Sequence, residues 1–411
     1  MKNIVILGGG IIGLCSGYYL SEAGHKVTII DKGDLSEGCS YGNAGMIVPS
    51  HIIPLAQPGM ISKGIKWMFD SKSPFYVEPR LNWELISWGL KFYKYANDKH
   101  VTRSMPALRD LSLLSKNLYK DLSSKLDTFY YQEKGLLMLF KTEKVGEEEY
   151  HAGKEAQNLG LEVDFLEQND IPNLETGVAT SAIGAVHYKS DAHLYPQKFM
   201  SFLKEEFLKN GGQISDKTEI ENVYFNKNRI QSIQTNKGLF EADDFVLAAG
   251  SWSPELAKLF NTKLSILPGK GYSFTLKNQG VKPEIPSILC EGKVAVTPMA
   301  NDLRFGGTME ITHTGNTKIN KNRVQGIVNT INEFYPNLNI GLPKESETWY
   351  GFRPCTPSGM PIIDKSDTYD NLILATGHAM MGLSLAPATG KLVQELVDSE
   401  KLSVDTNLFK I

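Results

Sequence analysis

No run of about 18 apolar residues occurs in the 411-residue chain, so no segment reads as a transmembrane helix. Cysteine is scarce as well. Cys15, Cys39, Cys290 and Cys355 lie far apart with no CxxC pair, which argues against a structural zinc site or a disulfide framework and fits a reducing compartment. An excess of one charge is missing too: a formal net charge of −3 leaves no electrostatic footprint for a nucleic-acid partner. The opening MKNIVILGGG lacks the apolar core of a signal peptide, because its short run ends in three glycines. Neither an internal repeat nor a low-complexity tract appears. What remains reads as a cytosolic globular protein, long enough for two domains or one large one.

The most informative stretch is NIVILGGGIIGLCSGYYLSEAGHKVTIID. IVIL is a β-branched run of the kind found in a parallel strand covered on both faces. Gly8, Gly10 and Gly13 follow as GxGxxG. Ile12, Cys15, Tyr19, Leu20 and Ala23 then recur at helical spacing, Gly24 is a C-cap candidate, and KVTIID is a second strand closing on Asp31. A glycine pattern between a strand and a helix, with an acidic residue about 20 positions on, is a dinucleotide fingerprint. Gly8 permits the tight turn, Gly10 lets backbone approach a pyrophosphate, and Gly13 brings helix and strand together. The helix N-terminus offers N–H groups to the phosphates, and Asp31 accepts from ribose hydroxyls. Asp31 leads into KGDLSEGCSYGNAGMIVPS, a glycine-rich loop in which Ser40 to Met46 lack the bulk to build a core. Close passage over a flat ring system explains it, which favours FAD over NAD.

Further along, leucines at 108, 111, 114, 118, 122 and 126 predict a helix over 107–126, and FYYQEKGLLMLFKT (129–142) predicts two strands around a turn. Pro196 to the Gly211-Gly212 pair predicts an amphipathic helix. Three or four short strands follow, closing on FVLAAG (245–250), and more strands run through 266–310. NLILATGHAMMGLSLAPATGKLVQELV again reads strand, glycine turn, helix. The fold expected is α/β with an α+β insert. Residues 1–60, 190–262 and 345–411 build a doubly wound FAD-binding domain, and 61–189 with 263–344 an inserted antiparallel-sheet domain for substrate.

GFRPCTPSG (351–359) raises a separate question. Arg353 sits in an apolar, turn-rich segment with no Asp or Glu close by in sequence. A guanidinium removed from water needs a partner, so either a distant carboxylate of the protein or a ligand's carboxylate answers it.

These motifs, with DAHLYP (191–196), FVLAAGSWSPEL (245–256), LRFGGTME (303–310), GFRPCTPSGMPIID (351–364) and ATGHAMMGLSLAPATG (375–390), resemble the D-amino-acid oxidase-like FAD-dependent oxidoreductases across nearly the whole chain. Within that family the likeness is nearest to the bacterial D-amino-acid dehydrogenases. The resemblance implies non-covalent FAD, no metal, and oxidation of an amine beside a carboxylate. In such a reaction hydride passes from Cα to flavin N5, and the imino acid is hydrolysed to a 2-oxo acid and ammonia. It implies cofactor contacts at Gly8, Gly9, Gly10, Ile11, Ile12, Gly13, Asp31 and Lys32, and in the loop at Ser40, Gly42, Asn43, Ala44, Gly45 and Met46. Others fall at Ile220, Ala249, Gly250 and Trp252, and at Gly377, Gly382, Leu383 and Ser384, where a helix N-terminus should favour the reduced flavin. Arg353 takes the position that binds the substrate carboxylate, a task suited to its planar fork.

Departures from the family leave several roles open. Val294 stands where relatives carry a substrate-holding tyrosine. Tyr272 either substitutes or is a half-buried sheet tyrosine, and His378 is either a base or a hydrogen-bonding group. His51, Met309, Met380 and Met381 are candidates for lining the substrate pocket, and Cys355 is expected to be an inert thiol. Residues 60–100 interleave Trp67, Phe69, Phe75, Tyr76, Trp83, Trp88, Phe92, Tyr93 and Tyr95 with lysines. They suit either the core of the insert or a peripheral contact with the inner face of a membrane, where electrons would pass to a quinone rather than to oxygen. A cyclic imino acid such as a hydroxyproline, glycine, or sarcosine would use the same arginine.

Overall fold

The computed structural model describes residues 1–36, 38–62, 64, 72–80, 82–126 and 128–411. Two large sheets organise them. The first has six strands in the order Ile362–Lys365, Leu372–Thr376, Asp244–Leu247, Asn3–Leu7, Lys26–Ile30, Gln213–Ser215. All its pairings are parallel except that of Ile362–Lys365 with Leu372–Thr376. Asn3–Leu7 is central, and Ile4 to Leu7 are all buried, as a strand covered on both faces requires. The helix Ile11–Glu22 is apolar on nearly every side because it lies between two others, Pro196–Lys209 and Gly382–Asp398. Small residues let these helices approach. A Cβ on Gly390 would stand 2.6 Å from the Cys15 carbonyl carbon, and one on Gly17 3.1 Å from the Phe207 ring.

The last helix contains Pro387 near its start, which removes the N–H that Leu383 O would otherwise receive. Tyr119 supplies the missing donor: its hydroxyl reaches Leu383 O at 2.6 Å, and Ser115 Oγ reaches Ser384 O at 2.6 Å. Both donors lie on Asp98–Lys125, the helix foreseen over 107–126. It packs on the last helix through Leu108, Leu111, Tyr119 and Leu122 and so belongs to the core of the first sheet, not to the insert as expected.

The second sheet has nine strands, running Thr348–Cys355, Leu267–Leu276, Asp302–Ile311, Val294–Met299, Ser287–Leu289, Leu136–Phe140, Gly184–Tyr188, Val163–Glu167, with Phe75–Val77 added beside Asp302–Ile311. The boundary expected at 345 therefore shifts. Thr348–Cys355, which carries Arg353, pairs with Leu267–Leu276 and is an edge of the insert sheet. Within 129–142 only Leu136–Phe140 is a strand, and Gln132 makes a single bridge to His193.

Residues 60–100 turn out to be divided. Trp88 is buried, stacks on Phe92 at 5.1 Å and donates from Nε1 to Cys355 O at 2.9 Å, while Phe75 packs in the same cluster. Trp83, Ile86, Leu90 and Tyr93 point outward from the same helix, Trp83–Tyr95, with Trp83 75% and Tyr93 72% exposed. Their spacing of three, four and three residues places them in one stripe. Trp67 and Phe69, also considered above, lie outside the described residues.

Replacing Tyr119 by Phe removes the hydroxyl on Leu383 O and leaves a buried carbonyl unpaired. The variant is expected to lose about 1–3 kcal/mol of stability, read as a lower urea midpoint at unchanged slope. An unchanged midpoint would show that water satisfies this carbonyl.

Candidate active site

Between the two sheets lies a cavity of about 1350 Å³. Ordinary small-molecule pockets span about 300–1,000 Å³, so this one suits a dinucleotide together with a substrate. At one end Gly8 adopts φ +112°, and a Cβ there would strike Ala248 O at 2.6 Å. Gly13 lies beneath it, where a Cβ would be 1.9 Å from Gly8 O. Above Gly10, in contrast, the space is open: a Cβ would meet only Ser40 Oγ, at 3.8 Å. Among the described residues no side chain caps the helix Ile11–Glu22, although Ile11 N donates to Ser40 Oγ at 3.1 Å. An open, uncapped helix start over a glycine turn is a cradle for a pyrophosphate. Asp31 borders it, accepting from Gly9 N and Gly33 N at 2.7 Å each, and Lys32 lies 4.5 Å over the Trp252 ring.

The loop after Asp31 forms the next stretch of wall and is held from the insert side. Arg304 is buried, and its Nη1 donates to Tyr41 O at 3.0 Å and Asn43 O at 2.8 Å. Ser273 Oγ donates to Gly42 O at 2.8 Å. The Trp349 ring covers Gly42 and Gly351, where Cβ atoms would stand 2.0 and 2.1 Å from it. Opposite, the N-terminus of Gly382–Asp398 has no side-chain cap among the described residues, while Ser384 Oγ accepts from Val48 N at 2.9 Å. Two uncapped helix starts thus open on one cavity, which favours negative charge within it.

The expected cofactor residues gather on this wall. Gly8, Gly9, Gly10, Ile11, Ile12, Asp31, Lys32, Ser40, Gly42, Asn43, Ala44, Met46, Ile220, Ala249, Gly250, Trp252, Gly382, Leu383 and Ser384 all line it. Gly13, Gly45 and Gly377 do not, and act from behind the surface. Gly45 (φ +77°) turns the loop against Leu194 O, and Gly377 (φ +78°) turns the chain against Thr356.

Arg353 reaches the cavity from the insert sheet. Its register with Gly269 puts the guanidinium over Gly271, where a Cβ would stand 2.1 Å from Nη1. Nη1 donates to Thr308 O at 2.6 Å, and no carboxylate of the described residues pairs with the guanidinium. Burial lowers its pKa, an effect the nearby Cys355 and Cys39 thiols oppose. Cys355 is fully buried, its thiol donates to Arg353 O at 3.4 Å, and burial pushes it up to about 12. This agrees with an unreactive thiol.

Two of the residues expected near the chemistry border the cavity, yet their polar atoms are engaged by the protein. Along Leu267–Leu276, Gly269, Gly271 and Ser273 meet Cys355, Arg353 and Gly42, so Tyr272 projects from the other face. Its hydroxyl donates to Glu310 Oε2 at 3.0 Å and accepts from Asn320 N at 3.2 Å, which favours the sheet-tyrosine alternative. His378 is buried, and its Nε2 lies 2.9 Å from Thr389 Oγ1, a hydroxyl already donating to Leu385 O. His378 must therefore be the donor. Burial takes it down to about 3, and the structure supports the hydrogen-bonding alternative over the base. His51, Met309, Met380 and Met381 line the cavity as well.

Arg304, Thr308, Trp349, Lys293 and Asp191 were not anticipated. Asp191 and Ser50 meet because Met46–Ile47 pairs antiparallel with Ala192–His193, which brings two of the sequence motifs together.

A glycine-turn dinucleotide domain closed by a large mixed sheet, with a cavity between them that two helix starts and a buried arginine face, is the architecture of a flavin-dependent oxidoreductase. The chain belongs to the DAO family, FAD dependent oxidoreductase, whose model matches residues 3–396. It is 31% identical over 396 residues to a D-amino acid dehydrogenase of Helicobacter pylori (strain ATCC 700392 / 26695), covering 96% of this chain and 94% of that protein. It is 29% identical to the D-amino acid dehydrogenase of Vibrio atlanticus (strain LGP32), covering 98% of each. Glycine oxidase from Geobacillus kaustophilus superposes with TM-score 0.77 at 22% identity, covering 100% of this chain and 98% of that one. L-proline dehydrogenase from P. horikoshii does so with TM-score 0.77 at 18%, covering 100% and 96%. FAD is the cofactor of the family, and the glycine cradle fits it.

Gly13→Ala is expected to yield protein without bound FAD, since its Cβ overlaps Gly8 O. A normal flavin absorbance in the purified variant would show that the turn yields instead. A second expectation concerns pH. Burial raises Asp191 to about 7, against the opposing bonds from Ser50, whereas an unfolded Asp titrates near ~3.9. The folded state holds this proton more tightly, so the contribution to stability is full below about pH 4 and is lost as pH rises towards 7. The Tm of Asp191→Asn should accordingly fall less than that of the parent across this interval. Parallel curves would mean that Asp191 titrates alike in both states.

Proposed function

We propose that the protein oxidises a small D-amino acid to a 2-oxo acid and ammonia and passes the electrons to a quinone-type acceptor. The observation that carries this reading is Arg353, a desolvated cation facing the cavity with no carboxylate partner among the described residues. A ligand carboxylate answers it in two-point geometry, with Thr308 O holding Nη1 in place. The D-amino acid dehydrogenases to which the chain is similar support the substrate class. FAD, when bound, supplies the acceptor for the hydride leaving Cα. Gly8, Gly10 and the first helix start would hold its phosphates, and the start of Gly382–Asp398 would favour the negative charge gained on reduction. The protein's own contribution is orientation: Arg353 fixes the carboxylate, the Met309 and Met381 side chains exclude water, and Cα is left one position.

The outer stripe Trp83, Ile86, Leu90 and Tyr93 supports a quinone-type acceptor, because beside Lys91 and Lys94 it suits a membrane–water interface where such acceptors reside. Glycine and cyclic imino acids remain the rival substrates, since proteins of similar fold are named for glycine and L-proline.

Anaerobic bleaching of the flavin by a panel of D-, L- and imino acids tests the substrate. Arg353→Ala should keep FAD yet lose roughly 10²-fold or more in kcat/KM, and Arg353→Lys should recover only part of this. Near-normal turnover of the alanine variant would return Arg353 to a structural role. Flotation with anionic liposomes, together with turnover by a quinone analogue, tests the acceptor. Absence of lipid binding with stoichiometric hydrogen peroxide would make the enzyme an oxidase.

A further inference from the structure

His51 and Asp191 are connected through one hydroxyl. Ser50 N donates to Asp191 Oδ1 at 3.0 Å and Ser50 Oγ to Asp191 Oδ2 at 2.5 Å. The same Oγ lies 3.3 Å from His51 Nδ1. A hydroxyl has a single proton. While Ser50 gives it to an ionised Asp191, its oxygen can only accept from the imidazole, which fixes His51 as the Nδ1–H tautomer and leaves the Nε2 lone pair available. His51 lines the cavity, whereas Asp191 is fully buried behind it. The loop bearing His51 runs on to Leu55, which packs with Met309 and Cys355, the neighbours of Arg353. That loop therefore borders the part of the cavity that Arg353 faces.

An amino acid near neutral pH carries an ammonium, and hydride cannot leave Cα until the nitrogen offers its lone pair. We propose that His51 takes this proton through a relay. Nε2 accepts it from the substrate ammonium, the Nδ1 proton moves to Ser50 Oγ, and the Ser50 hydroxyl proton moves to Asp191. The substrate loses one positive charge and Asp191 its negative charge. His51 ends neutral as the Nε2–H tautomer and Ser50 as a neutral hydroxyl, each with the number of protons it began with, and no co-reactant is required. This deepens the reading of the preceding section and rests on it.

The surroundings fit such a path. Burial and then Lys293 hold the His51 imidazolium down to about 4, so a proton stored on the ring is unfavourable. Asp191, raised to about 7, is the better store. Lys293 is itself paired with Glu149 at 3.2 Å, and Asp191 faces Lys116, the Ser190 hydroxyl and the Tyr188 ring. When Asp191 is already protonated the relay is full, so turnover should rise as pH passes through about 7.

The holoenzyme is tested with D-alanine by anaerobic stopped-flow. His51→Gln should slow flavin reduction roughly 10²-fold near pH 7 and recover near pH 10, where an amine of pKa about 8–10 is already neutral. Ser50→Ala and Asp191→Asn should share that pH pattern, and His51→Gln with Asp191→Asn combined should be no slower than His51→Gln. Independently, ring ¹⁵N spectra should give His51 as Nδ1–H above neutral pH, shifting towards Nε2–H in Asp191→Asn. Equal losses at both pH values, or an Nε2–H ring in the parent, would overturn the relay. If no amino acid reduces the parent's flavin, the proposed function fails instead, and the ring spectrum alone decides the relay.

Discussion

Everything about the cavity depends on Arg304 gripping the loop that follows Asp31. One nitrogen of its guanidinium holds two carbonyls of that loop, and Thr275 Oγ1 accepts from its Nε at 2.9 Å. A glycine-rich segment has almost no side chains with which to fix itself, so its shape must be imposed from outside. Arg304 and Ser273 impose it from the insert sheet, and Ser384 does so from the last helix. The wall over which a flat ring would pass is thus shared property of both sheets.

That joint also explains how Arg353 can exist. A desolvated guanidinium costs several kcal/mol unless hydrogen bonds compensate it. Here Thr308 O and the open cavity take that part, and the bare backbone of Gly271 leaves room for the head group. Lowering of the Arg353 pKa by burial is the electrostatic trace of this arrangement.

The first sheet's strand–turn–helix was legible because each of its cues is local: a β-branched run, three glycines, an acid. Arg353 was legible for another reason, as a charge out of place in an apolar segment. Tyr272 stayed open between two roles because strand parity decides its direction, and parity follows from pairing with the distant strand Thr348–Cys355. The helix Asp98–Lys125 shows its apolar stripe in the leucines, yet nothing in that stripe names the surface it will meet. Pro387 is a similar case, since its need for Tyr119 becomes visible only once the two helices lie together. Asp191 and Ser50 are separated by 141 residues and had no shared signal at all.

Trp88 has one further consequence. Its indole holds the carbonyl of Cys355, two residues from Arg353, while the opposite side of the same helix shows Trp83, Ile86, Leu90 and Tyr93 to the outside. Only the thickness of one helix, about 10–12 Å, separates that outer stripe from the strand bearing the arginine. The helix therefore ties an outward apolar stripe to the strand bearing the arginine through a single indole hydrogen bond. A change at the outer stripe thus has a short covalent and hydrogen-bonded route to the residues beside Arg353 that does not pass through the cavity.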